Sequence, residues 1–417
     1  MRDIDLLWVI LASALVFLMQ AGFLCLESGM TRSKNSINVA IKNVADFCLS
    51  TLVFWVFGFG LMFGLSYQGW FGVDLFAVDF AKAAPSLTVF FLFQVMFCGA
   101  AVTILSGIVA ERMKFGAYLF VSVVVAGILY PIAGHWSWAN LGGSGGSGWL
   151  AELGFVDFAG STIVHSVGGW AGLALVLIVG PRIGRFGQKG GMRAIIPSNM
   201  PIATLGALLL FIGWLGFNGG STLKLDETVP AILVNTVVGG CIGAISAGGL
   251  SYAVNNRLDV EQFINGALGG LVSVTANCFA VSTGSAALIG LVGGMIVVFF
   301  TQILETLKID DAVGAIPVHL GAGMWGTLAT GLYSDLETLG TGLTRFEQIA
   351  VQGLGVLVYG VWTFGLAFLV FYAGNLVLRF RVSEEAEIAG LNISELGLQH
   401  ESEMQSPANL SRVSSYD

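Results

Sequence analysis

Apolar residues run through this chain in long blocks broken by short polar stretches, without the strict alternation of a half-buried strand. A helix of about 20 apolar residues crosses a bilayer. Blocks of that length predict eleven spans, at about 5–30, 38–64, 85–110, 115–138, 158–180, 198–221, 230–252, 261–279, 283–305, 312–334 and 348–376. The fold class that follows is an all-α polytopic membrane protein. The first block starts without a basic region and is long for a secretion signal, so it reads as a retained span.

Basic residues orient the spans. Arg32, Lys34, Arg112, Lys114, Arg182, Arg185, Lys189, Arg193, Arg257, Lys308, Arg379 and Arg381 fall in one set of alternate loops. Only Arg2, Lys82, Lys224 and Arg345 fall in the other. The N-terminus is therefore expected outside and the C-terminus in the cytoplasm. Spans one to five (about 5–180) and six to ten (about 198–334) then form two halves. An odd number per half makes those halves inverted, with the eleventh helix (about 348–376) an addition. Residues 1–380 read as the membrane domain and 381–417 as a cytoplasmic tail. In that tail Ser383 caps a short acidic helix ended by Gly390, and the stretch from about 399 to 417 reads as disordered.

Composition agrees with this picture and narrows the chemistry. Of 417 residues, 55% are hydrophobic and only 11% charged, against about 25% charged in a soluble domain. The 58 glycines suit helices packed closely through small residues. A net charge of −8 without a basic cluster does not suit nucleic acid. Cys25, Cys48, Cys98, Cys241 and Cys278 lie in apolar runs with no ligand spacing and read as small buried hydrophobes. No nucleophile–base set or cofactor motif appears, so neither an enzyme nor a bound cofactor is expected. Gly142–Gly148 read as a flexible external loop.

Two of the four histidines, His165 and His319, sit in matching contexts half a chain apart. Aligned on them, Gly168-Gly169 meets Ala322-Gly323, and Gly172 meets Gly326. An ionisable residue inside a span points to function, and two in equivalent places point to one shared site. The plain alternative is a pair of core histidines tying spans together; the duplicated context favours function. No Cys, Asp or Glu stands at ligand spacing beside either, which disfavours a metal. Asp157 is placed to cap the fifth span, where it can shape a site above it without touching a solute. Trp136, Trp138, Trp149 and Phe217 gather near the outer face and suit a cation held against aromatic rings. Lys42 and Asp46, spaced i,i+4, are expected to pair, and with Glu27 they read as structural.

The residues that carry a family resemblance are Asp157-Phe158-Ala159-Gly160-Ser161 leading to His165, together with Glu27-Ser28-Gly29 and Lys34-Asn35. Ala110-Glu111-Arg112, Gly213-Trp214-Leu215-Gly216-Phe217-Asn218 and Val318-His319 support them. Over about 5–397 the chain resembles the ammonium transporter family (Amt/Rh), on its Amt branch. The resemblance implies a homotrimer of eleven-span subunits in the cell membrane, each with its own pore. It implies twin pore histidines at His165 and His319, and blocking phenylalanines at Phe97 and Phe217. It further implies ammonium recruitment at Trp138 and Ser221 with Phe93 nearby, an essential Asp157 below that site, and Trp214 and Thr275 along the pore wall. The tail resembles the family's regulatory tail, which meets neighbouring subunits and PII-type signalling proteins. The chain departs from the family pattern where Gly142–Gly148 lengthen a loop, which keeps Trp149 as a second recruitment candidate, and where Pro317 precedes Val318.

On this reading NH4+ sheds its proton before an apolar pore, and NH3 passes while the proton travels over the imidazoles. The alternatives are an ammonium sensor of the same fold signalling through its C-terminal region, and a channel for neutral NH3 or CO2.

Overall fold

The computed structural model describes residues 1–143, 145–187 and 193–398. Long helices dominate: α1 (Asp3–Met30), α2 (Ser33–Phe63), α3 (Pro85–Ile108), α4 (Phe115–Gly142), α5 (Ser161–Val179), α6 (Met200–Gly220), α7 (Val229–Asn255), α8 (Val260–Thr275) and α9 (Thr283–Thr306). They are followed by α10 (316–333) and α11 (Arg345–Leu378). A two-residue hairpin, Ser66–Tyr67 with Phe71–Gly72, is the one sheet among the described residues.

Nine of these helices are long and apolar enough to cross a membrane. The other two expected spans, 261–279 and 312–334, correspond to α8, which has 16 residues, and α10, which is a six-residue π segment followed by twelve α-helical residues. Each falls short because chain assigned to the span is used otherwise. After Thr275 it turns through Ala276 and Asn277, and before Ile316 it forms the loop that aims His319.

Helix starts follow from local chemistry. Pro85, Pro201 and Pro230 stand in first turns, where a missing N–H costs nothing. Asn199, Asp259, Ser282 and Thr344 cap α6, α8, α9 and α11 through their side chains.

Glycine sets how closely the helices approach. A Cβ on Gly206 would lie 2.3 Å from the backbone nitrogen of Leu26, and one on Gly29 would lie 2.6 Å from the Asn199 carbonyl oxygen. Helices α1 and α6 therefore run backbone against backbone. The same holds within α7–α8–α9, where a Cβ on Gly270 or Gly290 would lie 2.3 Å from the Gly239 carbonyl oxygen.

Two expectations need correction. Lys42 and Asp46 do not pair: Lys42 Nζ donates to the Met113 carbonyl at 2.5 Å, while Asp46 accepts from Thr103 (2.9 Å) and Tyr118. Both side chains are buried between α2 and its neighbours, and each finds a partner there before it can reach the other. Ser144 lies outside the described residues; beside it Gly143 and Gly145 have room around them, whereas Gly142, Gly146 and Gly148 stand where a Cβ would clash. A Cβ on Gly148 would lie 2.2 Å from the Trp136 backbone, and one on Gly142 would lie 2.8 Å from the Phe63 carbonyl oxygen. Residues 399–417, expected to be disordered, also lie outside the described residues.

The tail helix forms as expected. Ser383 accepts from Ala386 N–H at 3.2 Å and caps Glu384–Ala389, and Gly390 at φ +101° ends it. The tail then stitches onto the same chain. Asn35 accepts from the Leu391 N–H (2.8 Å), Asn392 accepts from the Asn38 N–H (2.9 Å), and Glu395 accepts from the Phe115 N–H (2.9 Å).

Candidate functional site

Both histidines stand on the same local construction. Asp157 and Asp311 each precede their histidine by eight residues, and Gly160 and Gly314 each precede it by five. Those glycines take φ of +113° and +75°, a backbone that side-chain-bearing residues avoid. The Asp157 carboxylate accepts from the N–H groups of Gly160 (2.8 Å), Ser161 (3.0 Å), Thr162 (2.8 Å) and Ile163 (2.9 Å). Asp311 accepts from Gly314 (3.0 Å) and Ile316 (2.6 Å). A π segment follows in each case, Ser161–Ser166 with His165 and Ile316–Gly321 with His319. Such widened turns are common at functional sites. Pro317 fits this start, where no backbone N–H is needed.

Asp157 thus holds the turn that leads to His165. Both its oxygens are spent on backbone donors, which leaves neither for a solute. Asp311 holds the equivalent turn in the second half; its signal in the sequence is the eight-residue spacing to His319, the same as from Asp157 to His165.

The rings meet at the centre. His165 Nδ1 and His319 Nδ1 lie 3.1 Å apart, with ring planes inclined by 16°. At that distance one nitrogen can donate to the other, so a single hydrogen can be shared between the two rings. Both residues are buried, and His165 Nε2 has no partner. Trp214 stacks on His165 at 5.1 Å, and its indole N–H donates to the Thr275 hydroxyl at 2.8 Å. Trp214 therefore touches the histidine, whereas Thr275 acts through Trp214.

Phe217 stands 5.4 Å from His165 and stacks on Phe97 at 4.0 Å, with planes 18° apart. Phe93 lies 4.7 Å from Phe97, and Trp138 6.2 Å from it, edge to face. A cavity with room for about one water centre, ≈ 10 Å³, is bordered by Phe93, Gln94, Phe97, Trp138, Phe158 and Ser221. It shares Trp138, Phe158 and Ser221 with a wider outer cavity of ≈ 740 Å³, which Glu152 and Asp226 also border.

The indole N–H of Trp138 donates to the Asp157 carbonyl at 2.7 Å, which ties the tryptophan to the loop that aims His165. Trp149 packs elsewhere, against Trp70 and Trp136. Gln94 and Phe158 were not singled out in the sequence. Gln94 is buried at 3% exposure with its Oε1 unpartnered, in a wall built mainly of rings and leucines. A polar residue inside the apolar run 85–110 was the signal that could have found it. His135 is structural, held by Ser66 and the Met62 carbonyl, each at 2.8 Å.

An ion cluster joins the loops that carry Glu111, Arg182 and Asp310. Arg182 reaches Glu111 at 2.6 Å and Asp310 at 2.8 Å, and Arg32 also pairs with Glu111. Burial pushes the Asp310 carboxyl up, but the hydrogen bonds from Arg182 and the charges of Arg112 and Arg182 hold it well below the usual carboxylate range. Glu111 is lowered for the same reason: burial is outweighed by Arg182 and Arg32. Glu387 of the tail joins this layer through Arg381 (2.8 Å) and the Ile183 N–H (2.7 Å).

The family model described as Ammonium Transporter Family matches residues 7–401. A putative ammonium transporter of Synechocystis sp. is 52% identical, over 95% of this chain and 74% of its own length. The ammonium transporter Amt2 of Archaeoglobus fulgidus is 38% identical, over 94% of this chain and 87% of its own. A solved structure described as a sensor Amt protein is similar with a TM-score of 0.91 at 42% identity, over 94% of this chain and 98% of that one. Candida albicans Mep2 gives a TM-score of 0.83 at 25% identity, over 92% and 87%. A match that runs from the first helix into the tail, with relatives 52% and 38% identical along nearly the whole chain, shows that this protein belongs to the ammonium transporter family.

Proposed function

We propose that this protein carries ammonium across the cell membrane by taking it up as NH4+ and passing it inward as NH3. The observation that carries the reading is the contact between His165 and His319 behind the stacked rings of Phe97 and Phe217. NH4+ gathers first in the outer cavity, where Glu152 supplies a negative charge; Asp226 there is paired with Lys224 at 2.9 Å. It then enters the small site where Trp138, Phe93 and Phe97 offer ring faces, and Ser221 and Gln94 offer oxygens.

Past that point an intact cation faces a desolvation cost on the order of tens of kcal/mol in a low-dielectric path. Shedding a proton removes the charge. NH3 moves past Phe97 and Phe217 and along the histidines, while the proton passes separately over the imidazoles, so the cycle moves charge. Potassium has no proton to shed, and selectivity follows from that chemistry more than from width.

The arrangement we assign is eleven spans in two inverted halves plus one, with the N-terminus outside, the tail in the cytoplasm, and three copies assembled, each with its own pore. The tail, sutured to the cytoplasmic turns, is the surface for a PII-type protein. A second reading, an ammonium sensor, draws support from the similarity to the protein described as a sensor Amt protein. An ammonium-concentration step on reconstituted full-length protein separates the two. Sustained charge movement with ammonium and none with potassium is the expected result. Binding without flux would favour the sensor, and ammonia flux without charge movement would favour a gas channel.

A further inference from the structure

One buried carboxylate in the membrane domain stands beside the pathway without a part in it. Glu27 sits near the cytoplasmic end of α1 and is 2% exposed. Its Oε2 accepts from Asn43 Nδ2 on α2 at 2.9 Å and from the Ser106 hydroxyl on α3, so two other helices fix its position. Glu27 and His319 border the same small cavity, together with Phe23, Leu26 and Asn265. That cavity has room for about one water centre, ≈ 10 Å³. Phe23 stands 6.1 Å from the His319 ring and narrows the way between them.

A hydrogen-bonded strut does not explain an acid at this place. A glutamine's carbonyl oxygen would accept from Asn43 and Ser106 equally well, without placing an ionisable group in the membrane. Neither is Glu27 half of an ion pair among the described residues. The nearby Lys42 turns to the Met113 carbonyl and lies 4.0 Å from Glu395. The other titratable groups packed around Glu27 are His319 across the cavity, Asp46 on α2 and Tyr118 on α4. The first can pass a proton over one water; the other two are engaged with each other.

We propose that Glu27 is the proton acceptor and donor at the inner end of the histidine pair. This rests on the ammonium reading above. The His319 imidazolium gives its proton, through a water held in the shared cavity, to the Glu27 carboxylate. This leaves a neutral imidazole and a carboxylic acid. NH3 leaving the pore takes that proton from the acid, forming NH4+ and restoring the carboxylate. One N–H bond breaks at the histidine, one forms on ammonia, and Glu27 ends each cycle as it began.

The test uses full-length protein in proteoliposomes and compares Glu27→Gln, Glu27→Asp, Ser106→Ala and His319→Ala. It reads ammonium-evoked charge movement against internal pH, with thermal unfolding recorded beside it. Glu27→Gln keeps the hydrogen-bond acceptor and should unfold like wild type, yet lose at least about tenfold in charge movement, since positioned proton-transfer groups contribute this much or more. Its residual signal should no longer respond to internal pH, and Glu27→Asp should recover part of the loss. Wild-type charge movement and pH response in Glu27→Gln would overturn the assignment. So would a well-folded Glu27→Asp as inactive as the Gln variant, which would make Glu27 a packing residue. If Glu27→Gln does not fold, Ser106→Ala decides: a displaced internal-pH profile is expected, and an unmoved one overturns the assignment. Loss in His319→Ala with none in Glu27→Gln would leave the histidine pore standing and remove only Glu27 from it. Unchanged selective flux in His319→Ala would instead sink the pore reading itself.

Discussion

His165 has Trp214 on one face, His319 within hydrogen-bond reach, and an Nε2 with no protein partner. A buried polar atom left open in this way costs about 1–3 kcal/mol. Gln94 presents the same signature one level higher. If its open Oε1 holds the incoming cation, Gln94→Leu removes a hydrogen bond to a charged group, worth about 1.5–3 kcal/mol. The half-saturating ammonium concentration for charge movement should then rise roughly ten- to a hundredfold, with selectivity over potassium kept. An unaltered concentration dependence would take Gln94 out of the outer site. Asp157 belongs to a different class of residue, because its carboxylate is satisfied by four backbone donors. Asp157→Ala should loosen the π segment and lower thermal stability along with transport, and a fully stable but inactive variant would contradict a positioning role.

Among the elements, the π segments and the buried ion layer around Arg182 fix the loops that carry the histidines. Arg182 holds two buried carboxylates on two different loops, Glu111 and Asp310. Arg182→Ala would leave Glu111 to Arg32 and Asn35 but take the close partner from the buried Asp310, at a cost of about 3–5 kcal/mol, read as a lower unfolding temperature of the full-length protein. A variant as stable as wild type would mean that the layer is solvated rather than locked. The pH dependence has a definite sign. Both carboxyls are held lower in the folded chain than in the unfolded one. Their stabilisation is therefore complete above the unfolded carboxylate range, near about pH 4, and is lost as pH falls through the depressed folded values. Unfolding temperature should accordingly be insensitive to this cluster at neutral pH and drop only in acid. A loss of the cluster's contribution between neutrality and about pH 5 would contradict that ordering.

At the scale of the whole molecule, the long apolar blocks, the two histidines and the ring-bearing positions around them were legible because bilayer thickness and ionisable groups leave a strong mark on sequence. Trp138 and Trp149 were not separable there. Only folding shows Trp138 bonded to the Asp157 carbonyl and Trp149 packed on Trp70 and Trp136. The short helices α8 and α10 escaped for a related reason: an apolar run does not reveal that part of it will turn or form a π segment. Lys42 and Asp46 misled because helix spacing describes an isolated helix, and here each side chain meets a partner outside its own helix first. All these elements converge on the imidazole pair. Charge movement evoked by ammonium in reconstituted wild type, His165→Ala and His319→Ala tests that convergence most directly. The account predicts that each substitution abolishes ammonium-specific charge movement or lets potassium compete with it. Wild-type charge movement, still selective for ammonium, in both variants would contradict it.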